Sequence, residues 1–257
     1  MAEIKQVTTG RGRKYVHVAD DGTETTVPSV TTILGGALPK PGLDWHGFKL
    51  GLKAAQYLVE RYDGKLPENF DALYEAAKQT NHAPHKFLKA AGARGTDVHN
   101  VAEVLLRDGK LEDLPSGTNA SRGYVDALVK WYTAFDVAEW EIVAVEARLF
   151  STKHLFAGTC DLIAKRPDGV YVVADYKTSK GIHPSHLIQT AAYIDAAVEC
   201  GYIPEGSPVE GHVVRLGEDG DSEVQRSPFT IDDFNAVLDL YRVLNDKSKR
   251  GEKISVD

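Results

Sequence analysis

The chain has 257 residues, 42% of them hydrophobic and 26% charged, with a formal net charge of −7; that builds one large domain or two small ones and has the balance of an ordinary globular protein. The acidic excess excludes a protein that coats nucleic acid through bulk charge, though not an enzyme with a local basic groove or one that holds divalent cations on carboxylates. No apolar run approaches the roughly 20 residues that span a bilayer, "MAEIKQVTTGRGRKYVHV" lacks the apolar stretch of a secretory signal, and two cysteines are too few for a disulfide framework or a four-cysteine metal site, so a reducing cytoplasm is the expected setting.

In chain order, "KYVHVADDGTETTVPS" (14–29) reads as a hairpin: Tyr15 and His17 alternate with Val16 and Val18, and "DDG" supplies the turn. "PSVTTILGGAL" follows as a short helix or turn with Ser29 as a candidate N-cap. From Asp44 to Arg61 the apolar spacing of Trp45, Phe48, Leu52, Ala55 and Leu58 is helical. "LPENFDALYEAAKQ" predicts a helix capped by Asn69. "HKFLKAAGARGTDVHNVAEVLLRDG" predicts one helix, or two broken near Gly92 to Gly95, ending at Gly109. A further helix carries Tyr124, Leu128, Trp131 and Phe135 on one stripe.

The period then changes to two. "EWEIVAVEARLF" predicts a strand, and "GTCDLIAKRPDGVYVVADYKTSK" (158–180) predicts two more. "HPSHLIQTAAYIDAAVEC" predicts a helix with Pro184 in its first turn. "VEGHVVRLG" and "SEVQRSPF" predict a second hairpin, "TIDDFNAVLDLYRVLNDKSKR" a helix capped by Thr230, and "GEKISVD" a loose end. The expected architecture is one α/β domain over 1–257: a largely helical part over about 29–137, a mixed sheet flanked by helices over about 139–228, and a last helix over about 230–249.

The stretch 158–180 poses a chemical problem. Asp161 and Asp175 sit in otherwise apolar strands, and burying an unpaired carboxylate is expensive. The connecting "RPDG" suits a type I turn with Pro167 at its first central position and Gly169 in the left-handed conformation, a three-residue loop. Residue 166 then pairs with 170, and Asp161 faces Asp175. Directly opposed side chains lie about 5 Å apart at Cβ, so one carboxyl is protonated or a cation sits between them. Lys177 points to the same face as Asp175. An oxygen-rich pair of this kind suits Mg²⁺ or Mn²⁺. A buried ion-pair network with Lys177 neutralising one aspartate accounts for the hairpin equally well.

The pattern "GTCD…DYK" resembles the core of PD-(D/E)xK nucleases, in the branch of RecB-like exonucleases and their CRISPR-associated and phage relatives. Gly158 and Asp161 match its G-x-x-D, and Asp175 and Lys177 its (D/E)-x-K. Upstream "GTDVH" (95–99) matches its helical histidine with His99. Downstream "QTAAY" (189–193) matches its Q-x-x-x-Y with Gln189 and Tyr193, and "VEARLF" supplies the strand glutamate, Glu146. The resemblance runs from about residue 95 to 193. It implies a restriction-endonuclease-like fold and a metal held by His99, Asp161, Asp175 and the carbonyl of Tyr176. It implies that Lys177 orients or deprotonates the attacking water or stabilises the phosphorane-like transition state. Gln189 and Tyr193 would touch the lysine, the metal water or the DNA backbone, with Glu146 a neighbour of the site. Iron–sulfur relatives use four cysteines; this chain has Cys160 and Cys200 alone.

Each residue also has a plain structural account. A lone helical histidine is more often packing than ligand, Gln189 and Tyr193 lie on a helix face that can simply pack, and Glu146 can face outward. Lys49, Lys53, Lys86, Lys89 and Arg94, with Trp45, are candidate DNA contacts that solvated helix faces and a core tryptophan explain as well. The functional expectation is a metal-dependent DNA exonuclease in a bacterial or phage-infected cytoplasm, with Mg²⁺ or Mn²⁺ as cofactor and DNA as partner. Unwinding falls to a partner or to end fraying, and the partner expected besides DNA is a single-strand-annealing protein or a helicase. The alternatives are an endonuclease on the same core and a catalytically silent DNA-end-binding or recombination scaffold.

Overall fold

A computed structural model describes residues 3–9, 12–18, 21–39, 41–67, 69–108 and 122–246. The expected end of a helix at Gly109 and the loose "GEKISVD" tail lie outside them. The chain divides into two compact units, one of Met1–Leu38 with Val98–Asp257 and one of Pro39–Asp97.

The larger unit is built on a five-stranded sheet of order β4-β5-β6-β7-β8. β4 (Glu141–Ser151), β5 (Phe156–Lys165) and β6 (Tyr171–Lys177) form an antiparallel meander. α6 (Pro184–Glu199) crosses over to β7 (Val209–Leu216), which runs parallel to β6, and β8 (Ser222–Arg226) returns antiparallel. The sheet is therefore mixed, as expected. The turn chemistry set the register: Arg166 N–H bonds the Val170 carbonyl at 2.9 Å, Gly169 takes φ +86°, and Leu162 pairs with Ala174.

Helices cover both faces. Val101, Leu105 and Leu106 of α4 (Pro84–Asp108) and Tyr124, Leu128 and Trp131 of α5 (Arg122–Ala134) pack on Leu162, Ala164, Val172 and Val214. On the other face α1 (Val30–Ala37), α6 and α7 (Ile231–Asn245) pack on Leu149, Phe156, Ile163 and Val173. A second sheet of β1 (Glu3–Thr9), β2 (Gly12–Val18) and β3 (Glu24–Val27) precedes α1. It joins the main sheet through Tyr15, whose hydroxyl shares a 2.9 Å hydrogen bond with Thr159, and through Ala157 N–H on the Pro28 carbonyl.

The capping expectations hold where the side chains can reach. Ser29 accepts from Thr32 N–H at 3.0 Å, and Thr230 and Asp233 form a capping box. β1 carries no signal strong enough to announce it, because its partner is needed to make it a strand. Phe135 falls beyond the end of α5 and is exposed rather than on the buried stripe.

The smaller unit contains α2 (Pro41–Arg61), α3 (Phe70–Gln79) and the first turns of α4. Asn69 caps α3 by accepting from Ala72 N–H at 2.9 Å. α4 is one helix, so Gly92 and Gly95 do not break it. α2 is the helix that the spacing of Trp45, Phe48, Leu52, Ala55 and Leu58 predicts. Leu50, Ala54 and Leu58 are its buried stripe, whereas Trp45, Phe48 and Leu52 are exposed.

Candidate active site

The site forms where β5 and β6 stop pairing. Their ladder ends at Leu162↔Ala174, one step short of the two aspartates. Beyond it Tyr176 N–H, which would bond β5 in a longer ladder, donates instead to Asp161 Oδ2 at 2.6 Å. A side-chain carboxylate thus closes the gap left by the splayed strands and satisfies a buried donor. Asp161 and Asp175 are both buried.

Strand β4 is irregular beside them. It pairs Val145 with Leu162 and Ala147 with Cys160, while Glu146 and Asp161 drop out of the ladder. Glu146 has φ +52°, a left-handed conformation that a non-glycine residue takes only under constraint. That turn brings its carboxylate to the site: Glu146 Oε1 lies 3.6 Å from His99 Nδ1. His99, from α4, lies 3.2 Å from Asp161 Oδ1 through the same nitrogen. Arg107, two turns further along α4, reaches the carbonyl of Val145.

Asp175 belongs to a second set. Its Oδ2 lies 2.5 Å from Lys177 Nζ, and its Oδ1 accepts from Gln189 Nε2 at 2.8 Å. The same Gln189 amide nitrogen lies 2.9 Å from the Tyr193 hydroxyl, and its carbonyl oxygen lies 3.4 Å from Lys177 Nζ. Gln189 and Tyr193 are four apart on α6 and face the strand together. All seven candidate side chains are therefore neighbours, in two groups. His99, Glu146 and Asp161 can place donor atoms within 4.8 Å of one another; Asp175 is engaged by Lys177 and Gln189.

Glycines set how close α6 comes. A Cβ on Gly158 would meet Tyr193 Cε1 at 2.5 Å, and one on Gly211 would meet Thr190 Oγ1 at 2.6 Å. Gly158 thus has a steric reason to be glycine: the Tyr193 ring lies on its Cα. Its motif position was readable in the sequence, but this reason was not, because the contact joins residues far apart in the chain. Tyr176 was named for its carbonyl only. Its side chain, on the face opposite Lys177 as strand alternation requires, is buried edge-on against His99 and Trp131, with centroids 6.2 Å and 5.3 Å away. Cys160 is buried and packs on the α6 side.

The charges hold one another. Burial disfavours the His99 imidazolium, but the charge and hydrogen bond of Asp161, with help from Glu146 and Asp175, outweigh it and push its pKa to about 10. Burial also raises Asp161, yet His99, Lys177 and the Tyr176 N–H hold it below the ordinary value. For Asp175 burial wins: despite Lys177, and aided by repulsion from Asp161, its pKa rises to about 6. The site thus concentrates carboxylates whose compensation comes from a histidine and a lysine. Although Lys177 is close, Asp175 Oδ2 accepts no well-directed hydrogen bond. Hard oxygen donors, a histidine and such an under-satisfied buried oxygen fit a small divalent cation.

The sequence matches the family model "PD-(D/E)XK nuclease superfamily" over residues 61–256. No curated protein matches the chain. Among solved structures, one described as the crystal structure of SSO0001 aligns at 12% identity and a TM-score of 0.27, covering 60% of this chain and 75% of that one. A likeness that slight bears on neither fold nor function. The family match spans most of the chain and includes every side chain of the site, with β5 and β6 carrying the D…D-x-K signature at their splayed ends. The chain belongs to the PD-(D/E)XK nuclease superfamily.

Proposed function

We propose that the chain is a metal-dependent DNA exonuclease that hydrolyses phosphodiester bonds with an activated water. The observation that carries the reading is the meeting of Asp161 and Asp175 at the end of one ladder, with His99 on the first and Lys177 on the second. As a purely structural network the arrangement would gain little, since withdrawing two carboxylates with their His99 and Lys177 partners from water costs about as much as their attraction returns. The resemblance in motif order to RecB-like exonucleases supports the exonuclease mode.

A divalent cation, Mg²⁺ or Mn²⁺, when bound, lowers the pKa of water and polarises the scissile phosphate. His99, Asp161, Asp175 and the carbonyl of Tyr176 would hold it, with Glu146 in reach. The carbonyl fits because a strand residue's N–H and C=O leave on the same side, and the Tyr176 N–H points into the gap at Asp161. Lys177 sits on the Asp175 side, where its ammonium can orient the attacking water, take part in its deprotonation, or meet charge developing on the phosphate. Gln189 bridges Asp175 and Tyr193, which fixes the carboxylate's rotamer and keeps Lys177 aimed.

The test is digestion of end-labelled linear DNA and closed circular DNA with Mg²⁺ or Mn²⁺, wild type beside Lys177→Ala. Loss of the linear substrate alone, reduced at least about a hundredfold in the variant, is the expected result. Cutting of the circle makes the chain an endonuclease. Intact DNA with every metal, while the protein still binds ends, removes the catalytic reading and leaves a scaffold.

A further inference from the structure

Residues 39–97 differ from the rest of the chain in charge and in surface. They hold nine Lys and Arg against seven Asp and Glu, a net of +2, which leaves −9 for the remainder. They also carry most of the large exposed apolar side chains among the described residues. α2 shows the anomaly best. A surface helix buries one stripe and turns charge toward water on the other side. Here the side opposite Leu50, Ala54 and Leu58 presents Trp45, 61% exposed, Phe48 and Leu52, each 55% exposed, and Val59.

Those rings are arranged with cations. Trp45 and Phe48 stack at 5.4 Å with planes 25° apart, and Lys49 Nζ lies 5.7 Å over the Trp45 ring. Lys53 follows one turn on, and neither lysine forms an ion pair among the described residues. α3 repeats the design. Phe70, 76% exposed, stacks on Tyr74 at 6.1 Å, with Lys78 Nζ 5.2 Å over Tyr74, although Lys78 also pairs with Glu75. An apolar partner protein would be served by the rings and hindered by the lysines between them. Single-stranded nucleic acid is served by both: unstacked bases lie on aromatic faces while phosphates meet ammonium groups. In a duplex the base faces are hidden, and the rings would be wasted.

We propose that the Trp45–Phe48–Lys49 surface of α2 is a stacking platform for single-stranded DNA, so that the strand held is unpaired. This deepens the nuclease reading and rests on it for the choice of DNA as the ligand. The test is fluorescence anisotropy of a labelled oligothymidylate and of a labelled duplex, with the full chain in EDTA so that no cleavage is required. Expected is binding that favours the single strand and weakens about tenfold or more in Trp45→Ala with Phe48→Ala, restored in large part by Trp45→Tyr, with unchanged circular dichroism. Single-strand affinity unchanged in the double variant overturns the proposal. So does a wild-type dimer that sedimentation shows dissociating in that variant with DNA affinity intact, which would give the face to a second copy. Equal loss of duplex and single-strand binding also overturns it. The two claims are read separately, the platform from binding of the Trp45/Phe48 variant in EDTA and cleavage from Lys177→Ala with Mg²⁺, so a platform without cleavage and cleavage without a platform are distinct results.

Discussion

At the residue scale, the His99 imidazolium offsets the carboxylates of Asp161 and Glu146, and its protonation is the handle on the site. Its native pKa of about 10 lies above the ordinary 6.5. A raised histidine pKa gives stability that is complete below pH 6.5 and is lost as pH climbs through about 10. Asp175, raised to about 6 from 3.8, likewise favours the native state below pH 3.8 and loses that contribution as pH rises through about 6. The metal-free protein should therefore lose stability from pH 6.5 to 10, read as the melting temperature in EDTA. The difference between wild type and His99→Gln isolates the histidine, and a wild-type slope equal to that of the variant refutes the assignment. A metal ligand must be unprotonated, so metal binding should also release close to one proton near pH 7.5, with affinity rising up to about tenfold per pH unit. Calorimetry in buffers of different ionisation enthalpy counts that proton. Gly158 gives a steric prediction at the same scale. Gly158→Ala forces Tyr193 off the strand, costs about 1–3 kcal/mol in urea unfolding, and lowers activity with it because Tyr193 braces Gln189.

At the element scale, the decisive irregularity is the left-handed Glu146 inside β4. Its backbone costs about 1–2 kcal/mol that glycine would not incur. Glu146→Gly should therefore be more stable than Glu146→Ala by about 1 kcal/mol in denaturant unfolding, while both lose the carboxylate and fall equally in metal affinity. Equal stability would mean the strand relaxes to a regular ladder once the carboxylate is gone. How much of this was legible varies element by element. "RPDG" announced its turn, hence the register that brings Asp161 and Asp175 together, because local turn chemistry fixes pairing. Asn69, Ser29 and Thr230 announced helix starts for the same local reason. Which face of α2 packs was not legible, because Trp45, Phe48 and Leu52 keep a helical period whichever side is buried. The turn at Glu146 was invisible, since alternation assigns a strand residue one of two faces and has no place for a third direction. The motifs named the residues that the fold brings together, but not their division into a His99–Glu146–Asp161 group and an Asp175–Lys177–Gln189 group.

At the scale of the molecule, the charge of −7 is divided unevenly, and residues 39–97 are its basic part. Few phosphates can be neutralised by Lys49, Lys53, Lys86 and Lys89, each worth about 0.7 in the slope of log affinity against log salt on single strands. Binding of oligothymidylate should accordingly follow a shallow slope, about −3 or less steep, measured by anisotropy over a series of KCl concentrations. A slope beyond about −5 would mean a basic track elsewhere on the protein. A last consequence comes from where the α6 crossover falls. Asp161, Asp175, Lys177, Gln189 and Tyr193, with the Gly158 that admits the tyrosine ring, all lie within residues 158–193. Genetic exchange between related genes that breaks outside this run would swap neighbouring regions while passing on the lysine, both aspartates and their braces intact. Chimaeras joined on either side of the run are thus the ones to inherit a working centre, needing only a partner that supplies a histidine and a glutamate in register.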